Sequence, residues 1–155
     1  MQKVLFVCLG NICRSAMAQG ILEAKAKQYG LNLLVDSAGT SDYHIGEAPD
    51  ERMQAKALEY DVDISQQQAR QFTYNDFQGF DYIFAMDSSN YNNILKLAKT
   101  DADKQKVTLF LNLAYPNENR NVPDPYYGGE AGFEEVYQLL DNACEVLRSY
   151  LESKP

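Results

Sequence analysis

The sequence is short of cysteine, of basic residues and of long apolar runs, and each shortage excludes something. Three cysteines, Cys8, Cys13 and Cys144, stand in 155 residues. An odd, low count in a chain of this length reads as reduced thiols in a cytoplasmic setting, not as a disulfide framework. Fourteen Lys and Arg against 22 Asp and Glu leave a net charge of -8. That lacks the basic footprint of a nucleic-acid or anionic-membrane binder, although backbone dipoles can still build a small anion pocket on an acidic chain. No apolar run approaches the roughly 18 residues of a membrane span. The opening Met1-Gln2-Lys3 and the short run 4–9 lack the features of a signal peptide. Repeats, linkers and low-complexity tracts are missing too.

What is present is ordinary globular composition, 45% hydrophobic and 23% charged. A chain this long supports one domain, 1–155, with a single sufficient core. Residues 4–8 form a continuous apolar run, as in a strand buried on both faces. A helix follows over 15–29, with Met17, Ala18, Ile21, Leu22 and Tyr29 on its apolar stripe and Gly30 as its stop. Strands are predicted at 31–35, 82–86 and 107–111. Helices are predicted over 49–60, from a cap at Asp87 or Ser88 to about 99, and from Gly132 to the end, where Phe133, Val136, Tyr137, Leu140, Ala143, Cys144, Leu147 and Leu151 keep helical spacing. Alternating strands and helices imply right-handed crossovers and a parallel sheet, whose ligands bind at the strands' carboxyl ends.

The loop leaving the first strand, Cys8-Leu9-Gly10-Asn11-Ile12-Cys13-Arg14-Ser15, therefore draws attention first. A loop curling into a helix start turns its amides inward and builds an anion nest backed by the helix dipole. Gly10 permits the positive φ such a curl needs, and Asn11 tolerates it. Arg14 and the helix N-terminus favour the thiolate of Cys8. Arg14 also offers a planar fork for two phosphate oxygens. A thiolate beneath a tetrahedral anion is a nucleophile aimed at the central atom.

With C-x-G-N-x-C-R-S following an apolar strand, the chain resembles the low-molecular-weight protein tyrosine phosphatase family. The segments Asp36-Ser37-Ala38-Gly39-Thr40-Ser41-Asp42-Tyr43, Ala69-Arg70-Gln71 with Asp76-Phe77, Phe80-Asp81-Tyr82-Ile83-Phe84-Ala85-Met86-Asp87 and Val122-Pro123-Asp124-Pro125-Tyr126-Tyr127-Gly128 carry the resemblance along nearly the whole length. It implies a single phosphatase domain, an α/β three-layer sandwich with a four-stranded parallel sheet flanked by helices on both faces. It implies phosphotyrosine hydrolysis with no metal and no cofactor. By position, Cys8 matches the nucleophile, Arg14 the phosphate-binding arginine and Asp124 the general acid. The amides of Leu9, Gly10, Asn11, Ile12, Cys13, Arg14 and Ser15 match the phosphate cradle. Asn11, Ser15 and Ser37 match the polar network supporting that loop. Tyr43, Tyr126 and Tyr127 match the aromatic rim, and Cys13 a cysteine able to bridge to the nucleophile on oxidation. The implied partners are tyrosine-phosphorylated proteins, with the chain acting as a monomer.

Two positions depart from the family pattern, Ala16 where a proline usually follows the C-R-S string and Gln67 where a histidine often stands. Other readings compete. A thiol-dependent arsenate reductase shares the loop but needs further cysteines to relay a disulfide outward. Phosphoarginine hydrolysis is a related specialisation that typically has threonine where this chain has Ile12. A non-catalytic phosphotyrosine-binding module would not need the Cys8, Arg14 and Asp124 set. Cys8, Cys13, Cys144 and His44 count to four zinc ligands, but Arg14 would repel a cation. Cys144 reads as core, His44 as a surface-loop residue, and Arg70 as a helix-surface charge.

Overall fold

Strand β1 (Gln2–Cys8) organises the molecule. Val4, Phe6 and Cys8 pack into one core, while Leu5 and Val7 pack into another on the opposite side of the sheet. That is the two-residue alternation of a strand buried on both faces. The computed structural model describes residues 1–125 and 129–154. Tyr126, Tyr127, Gly128 and Pro155 lie outside the described residues.

Three further strands, β2 (Leu33–Gly39), β3 (Tyr82–Ala85) and β4 (Val107–Leu109), complete a parallel sheet in the order β2-β1-β3-β4. Helices α1 (Arg14–Tyr29), α2 (Glu51–Glu59) and α6 (Gly129–Glu152) contribute Met17, Ile21, Met53, Val136, Leu140 and Leu147 to the first core. The short α3 (Asp76–Gly79) and α4 (Ser88–Leu97) contribute Phe77 and Ile94 to the second. This is the three-layer α/β sandwich with a four-stranded parallel sheet expected from the sequence. The chain first steps from β1 to β2, then crosses back to β3 on β1's other side. The carboxyl ends of β1 and β3 thus flank the topological switch point, where open parallel sheets bind ligands.

Several boundaries differ from the sequence reading for identifiable reasons. Strand β2 begins at Leu33, not 31, because Leu31 is used in the helix stop. Its amide donates to the Ala26 carbonyl at 2.8 Å, after Gly30 takes a left-handed φ of 66°. The strand then runs on through Asp36, Ser37, Ala38 and Gly39, which are weak strand formers, because each pairs with β1 up to Cys8 opposite Gly39. Helix α2 starts after Asp50, whose side chain accepts from the Arg52 amide at 2.8 Å, so Pro49 lies ahead of the cap. Strand β4 stops at Leu109 and turns into a 3₁₀ segment, Phe110–Asn112. The final helix starts three residues earlier than predicted, at Gly129. Helices α3 and α5 (Asp101–Gln105) are too short for periodicity to reveal. The latter is closed by a reciprocal cap between Thr100 and Asp103.

Candidate active site

The loop from Cys8 to Ser15 is shaped by where its carbonyls go. Those of Cys8, Leu9 and Ile12 accept from the amides of Thr40, Ser41 and Asp50 at 2.9, 2.9 and 2.7 Å. The Cys13 carbonyl accepts from Met17 at 2.9 Å, the first bond of α1. With the carbonyls tied outside, the N–H groups are left for the interior. Among the described residues, no backbone carbonyl accepts from the amides of Leu9, Gly10, Ile12, Cys13, Arg14, Ser15 or Ala16. No side chain caps the start of α1 either. A run of inward donors at an uncapped helix start is a ready anion site. Ala16, where the family has proline, adds one more N–H to the set.

Cys8, 3% exposed, sits under this ring. Its Sγ lies 3.3 Å from the Asn11 amide and 3.0 Å from Ser15 Oγ. A polar network surrounds this second bond. Arg70 N donates to Asn11 Oδ1 at 3.0 Å, which fixes the Asn11 amide. Asn11 Nδ2 then donates to Ser15 Oγ at 2.8 Å and to Ser37 Oγ at 2.9 Å, and Ser37 passes its own proton to Gln19 Oε1 at 2.6 Å. Ser15 Oγ, which accepts from Asn11, shares a further hydrogen bond with the Cys8 sulfur, and the Asn11 amide donates to that sulfur as well.

Of the two residues the sequence offered for a positive φ, Asn11 takes it, at 59°, and Gly10 does not. Gly10 is needed for room instead. A Cβ there would stand 2.9 Å from Cδ2 of His44. His44, read from the sequence as a surface-loop residue, thus closes over the loop, with Nδ1 paired to Glu47 at 2.9 Å. Gly39 is a second constrained position. Its Cβ would meet the Leu9 carbonyl oxygen at 2.7 Å and the Asn11 nitrogen at 3.2 Å, both backbone atoms that no rotamer change can move. Gly39→Ala is expected to displace the loop and lower kcat/KM about 100-fold on an aryl phosphate, with an overpacking cost of about 1–3 kcal/mol. Steady-state kinetics and a denaturation midpoint check both.

Arg14 is 5% exposed and enters from the first turn of α1. Its Nη1 donates to Asp87 Oδ2 at 2.8 Å and to the Val122 carbonyl at 3.0 Å. Asp87 is also the N-cap of α4, accepting from Asn90 N at 2.7 Å. One carboxylate at the end of β3 thus caps a helix and orients the arginine. Burial opposes the guanidinium charge, but Cys8 and Asp87 hold it, and the net pKa is raised. A cleft of about 230 Å³ opens above the loop, lined among others by Cys8, Ile12, Arg14, Tyr43, Asp124 and Phe133. Asp124 reaches it from the exposed stretch after Val122, whose amide donates to the Met86 carbonyl at 2.8 Å.

At this point the comparisons with known proteins decide the family. The low molecular weight phosphotyrosine protein phosphatase family matches residues 3–154. This chain belongs to that family. The low molecular weight phosphotyrosine protein phosphatase of Schizosaccharomyces pombe is 43% identical over 95% of this chain and 96% of its own length. Among solved structures, a protein tyrosine phosphatase from Entamoeba histolytica, crystallised with Hepes in its active site, superposes with a TM-score of 0.91. It is 40% identical and covers 98% and 97% of the two chains. A Drosophila arginine phosphatase superposes at 0.90, with 33% identity and full coverage of both chains.

Of the residues singled out in the sequence, Cys8, Leu9, Gly10, Ile12, Arg14, Tyr43 and Asp124 line the cleft, while Asn11, Ser15 and Ser37 bond to one another beneath the loop. Tyr126 and Tyr127 lie outside the described residues. Cys13 also lines the cleft. Burial pushes its thiol well up, with Cys8, Asp50 and Asp124 adding to the effect, so it is held protonated. Cys144 is fully buried against the Ala18 carbonyl. No group of three metal-ligating side chains stands together among the described residues. Arg70 corrects the sequence reading, for it lies on no helix. Its fork grips Asp76 at 3.0 and 3.1 Å and its Nε donates to Asp36 at 3.0 Å. That pins the backbone that donates to Asn11. Gln67 does not join the network beneath Cys8. Its Nε2 donates to the Ala16 carbonyl at 3.0 Å, and its Oε1 is buried with no partner among the described residues. Asp87, Gly39, Asp50 and Arg52 were not assigned to the site from sequence. Only Asp87, at a strand's carboxyl end, carried a positional signal.

Proposed function

We propose that this protein hydrolyses phosphotyrosine and small aryl phosphates through a phosphocysteine on Cys8. The observation that carries the reading is the sulfur held beneath a run of loop amides that, among the described residues, have no backbone acceptor. Cys8 Sγ attacks phosphorus as the P–O bond to the phenol breaks, and Asp124 gives the leaving oxygen its proton. Asp124, now a carboxylate, takes a proton from water as the water oxygen bonds phosphorus and the S–P bond breaks. The thiolate returns to the Asn11 amide and the Ser15 hydroxyl. Charge on the equatorial oxygens meets the loop amides and the Arg14 fork, donors already aimed before reaction.

Ile12 and Tyr43 line the cleft and favour a flat aryl group over a guanidino phosphate. Cys144, with no exposure, is placed to pack and not to carry a disulfide outward as an arsenate reductase would require. Cys13 in the same cleft supports a redox role, with Cys8 and Cys13 joining as a disulfide when a peroxide takes their two electrons. The site serves tyrosine-phosphorylated proteins, and the free cysteines suit a reducing, cytoplasmic setting.

The general acid supplies the test. Asp124→Ala should lower kcat/KM by about 10²–10⁴ for phenyl phosphate, a poor leaving group, and far less for p-nitrophenyl phosphate. Equal losses on both substrates would remove Asp124 from the proton transfer.

A further inference from the structure

The residue after Asp124 is seated on a helix turn tied down by a buried lysine. Lys56 of α2 is only 3% exposed, yet Nζ meets three carboxylates. Those are Glu59 at 2.9 Å, Glu134 at 3.0 Å and Glu130 of the first turn of α6. Tyr60, also next to α2, donates to Glu134 and stacks on Tyr137 at 3.7 Å between ring centroids. The first turn of α6 is thus fastened to α2 from one side.

The same turn faces the cleft from the other side. A Cβ on Gly132 would stand 3.6 Å from both Cα and the carbonyl oxygen of Pro125, so Pro125 rests directly on the helix where no side chain intervenes. Pro125 is buried, and it follows Asp124 in the chain. Phe133, one residue on, lines the cleft, and the Arg52 guanidinium lies 4.9 Å above its ring. Arg52 in turn is bonded by Asp50 at 3.0 and 3.2 Å.

We propose that Lys56 is a positioning residue: by pinning Glu130 and Glu134 it fixes the turn of α6 on which Pro125 is seated, and so holds Asp124 at the cleft. This rests on the reading of Asp124 as the proton donor. Lys56 touches no reacting atom. Its action passes through Glu130, the turn of α6 and Pro125, and small displacements of a proton donor cost rate steeply. The three carboxylates around Nζ also explain why the charge is kept there: removing it leaves three anions together, Glu59 at the end of α2 and Glu130 and Glu134 near the start of α6.

The test uses the full chain and kcat/KM, which reports the step in which the phenol departs. Lys56→Met should lower kcat/KM for phenyl phosphate about tenfold and for p-nitrophenyl phosphate less than twofold. Lys56→Arg, which can still bridge the carboxylates, should restore most of the loss. In the Asp124→Ala background Lys56→Met should add nothing, because the group it positions is gone. Glu130→Gln, a change at an exposed residue, should give a smaller loss of the same selectivity and serves if Lys56→Met folds poorly. Equal losses on both substrates, additive losses in the double variant, or no loss in either single variant would overturn the proposal. If Asp124→Ala itself shows no leaving-group selectivity, the assignment of the acid fails instead.

Discussion

Cys8→Ser should abolish turnover while leaving oxyanion binding intact. The loss of kcat should reach about 10⁴-fold or more, the scale seen when an enzymatic nucleophile is removed. The reason is specific to the sulfur. A hydroxyl at this position is a far weaker nucleophile, and the two donors that serve Cys8, the Asn11 amide and the Ser15 hydroxyl, are matched to an acceptor that need not give up a proton. The amide ring is backbone and is set by the carbonyl contacts to Thr40, Ser41 and Asp50, so the substitution leaves it in place. Titration calorimetry with inorganic phosphate should show affinity equal to or tighter than that of the unaltered protein, since a negative charge beneath the anion has been removed. Rapid-quench trapping should find phosphoenzyme in the unaltered protein and none in the variant. A Cys8→Ser protein with full activity would end the phosphocysteine mechanism.

The contrast between what sequence disclosed and what it hid follows the distances along the chain. Cys8, Asn11, Arg14 and Ser15 are neighbours on one strand-loop-helix turn, so the chemistry of an anion nest could be read from eight consecutive residues. The buried run before them gave the strand, and both cores confirm why it is apolar without alternation. The residues that hold the site rigid come from far away. Arg14 meets Asp87 across 73 positions, Arg70 meets Asn11 across 59, and Lys56 meets Glu134 across 78. No local period announces such pairs. Arg70 looked like a helix-surface charge because a lone arginine near acidic residues ordinarily is one. Gly10 and Asn11 were both offered for a positive φ that of the two only Asn11 adopts, since sequence shows which residues tolerate such a φ but not which one is asked to take it. The extension of β2 to Gly39 was hidden for a related reason. Small residues there are chosen for the loop pressed against them, at the expense of strand propensity.

Arg14→Ala should damage both binding and rate, and it should do so together with stability, which calls for a companion variant. Among the described residues the guanidinium is the one cation buried beside the loop, and loss of an arginine that stabilises a phosphoryl transition state costs about 10³–10⁵ in rate. Its removal also strands the Asp87 carboxylate and the Val122 carbonyl, whose partner was Nη1. Breaking one side of such a buried pair costs about 3–5 kcal/mol at most, with a lower figure here because the Asp87 side chain is 21% exposed. Arg14→Lys keeps a charge but loses the fork. A single ammonium can answer Asp87 or the phosphate, not both in a plane, so the rate should stay depressed by at least about 10²-fold even though much of the stability returns. Asp87→Asn separates the two roles from the other end. Asparagine caps a helix about as well as aspartate, so α4 should keep its start. The arginine loses its anchoring charge, and kcat on an aryl phosphate should fall about tenfold with the denaturation midpoint little changed. The decisive pattern is therefore a rate that follows the geometry of the fork and not the stability of the fold. Activity restored in full by Arg14→Lys would reduce Arg14 to a counter-charge and leave the amide ring as the sole determinant of phosphate orientation.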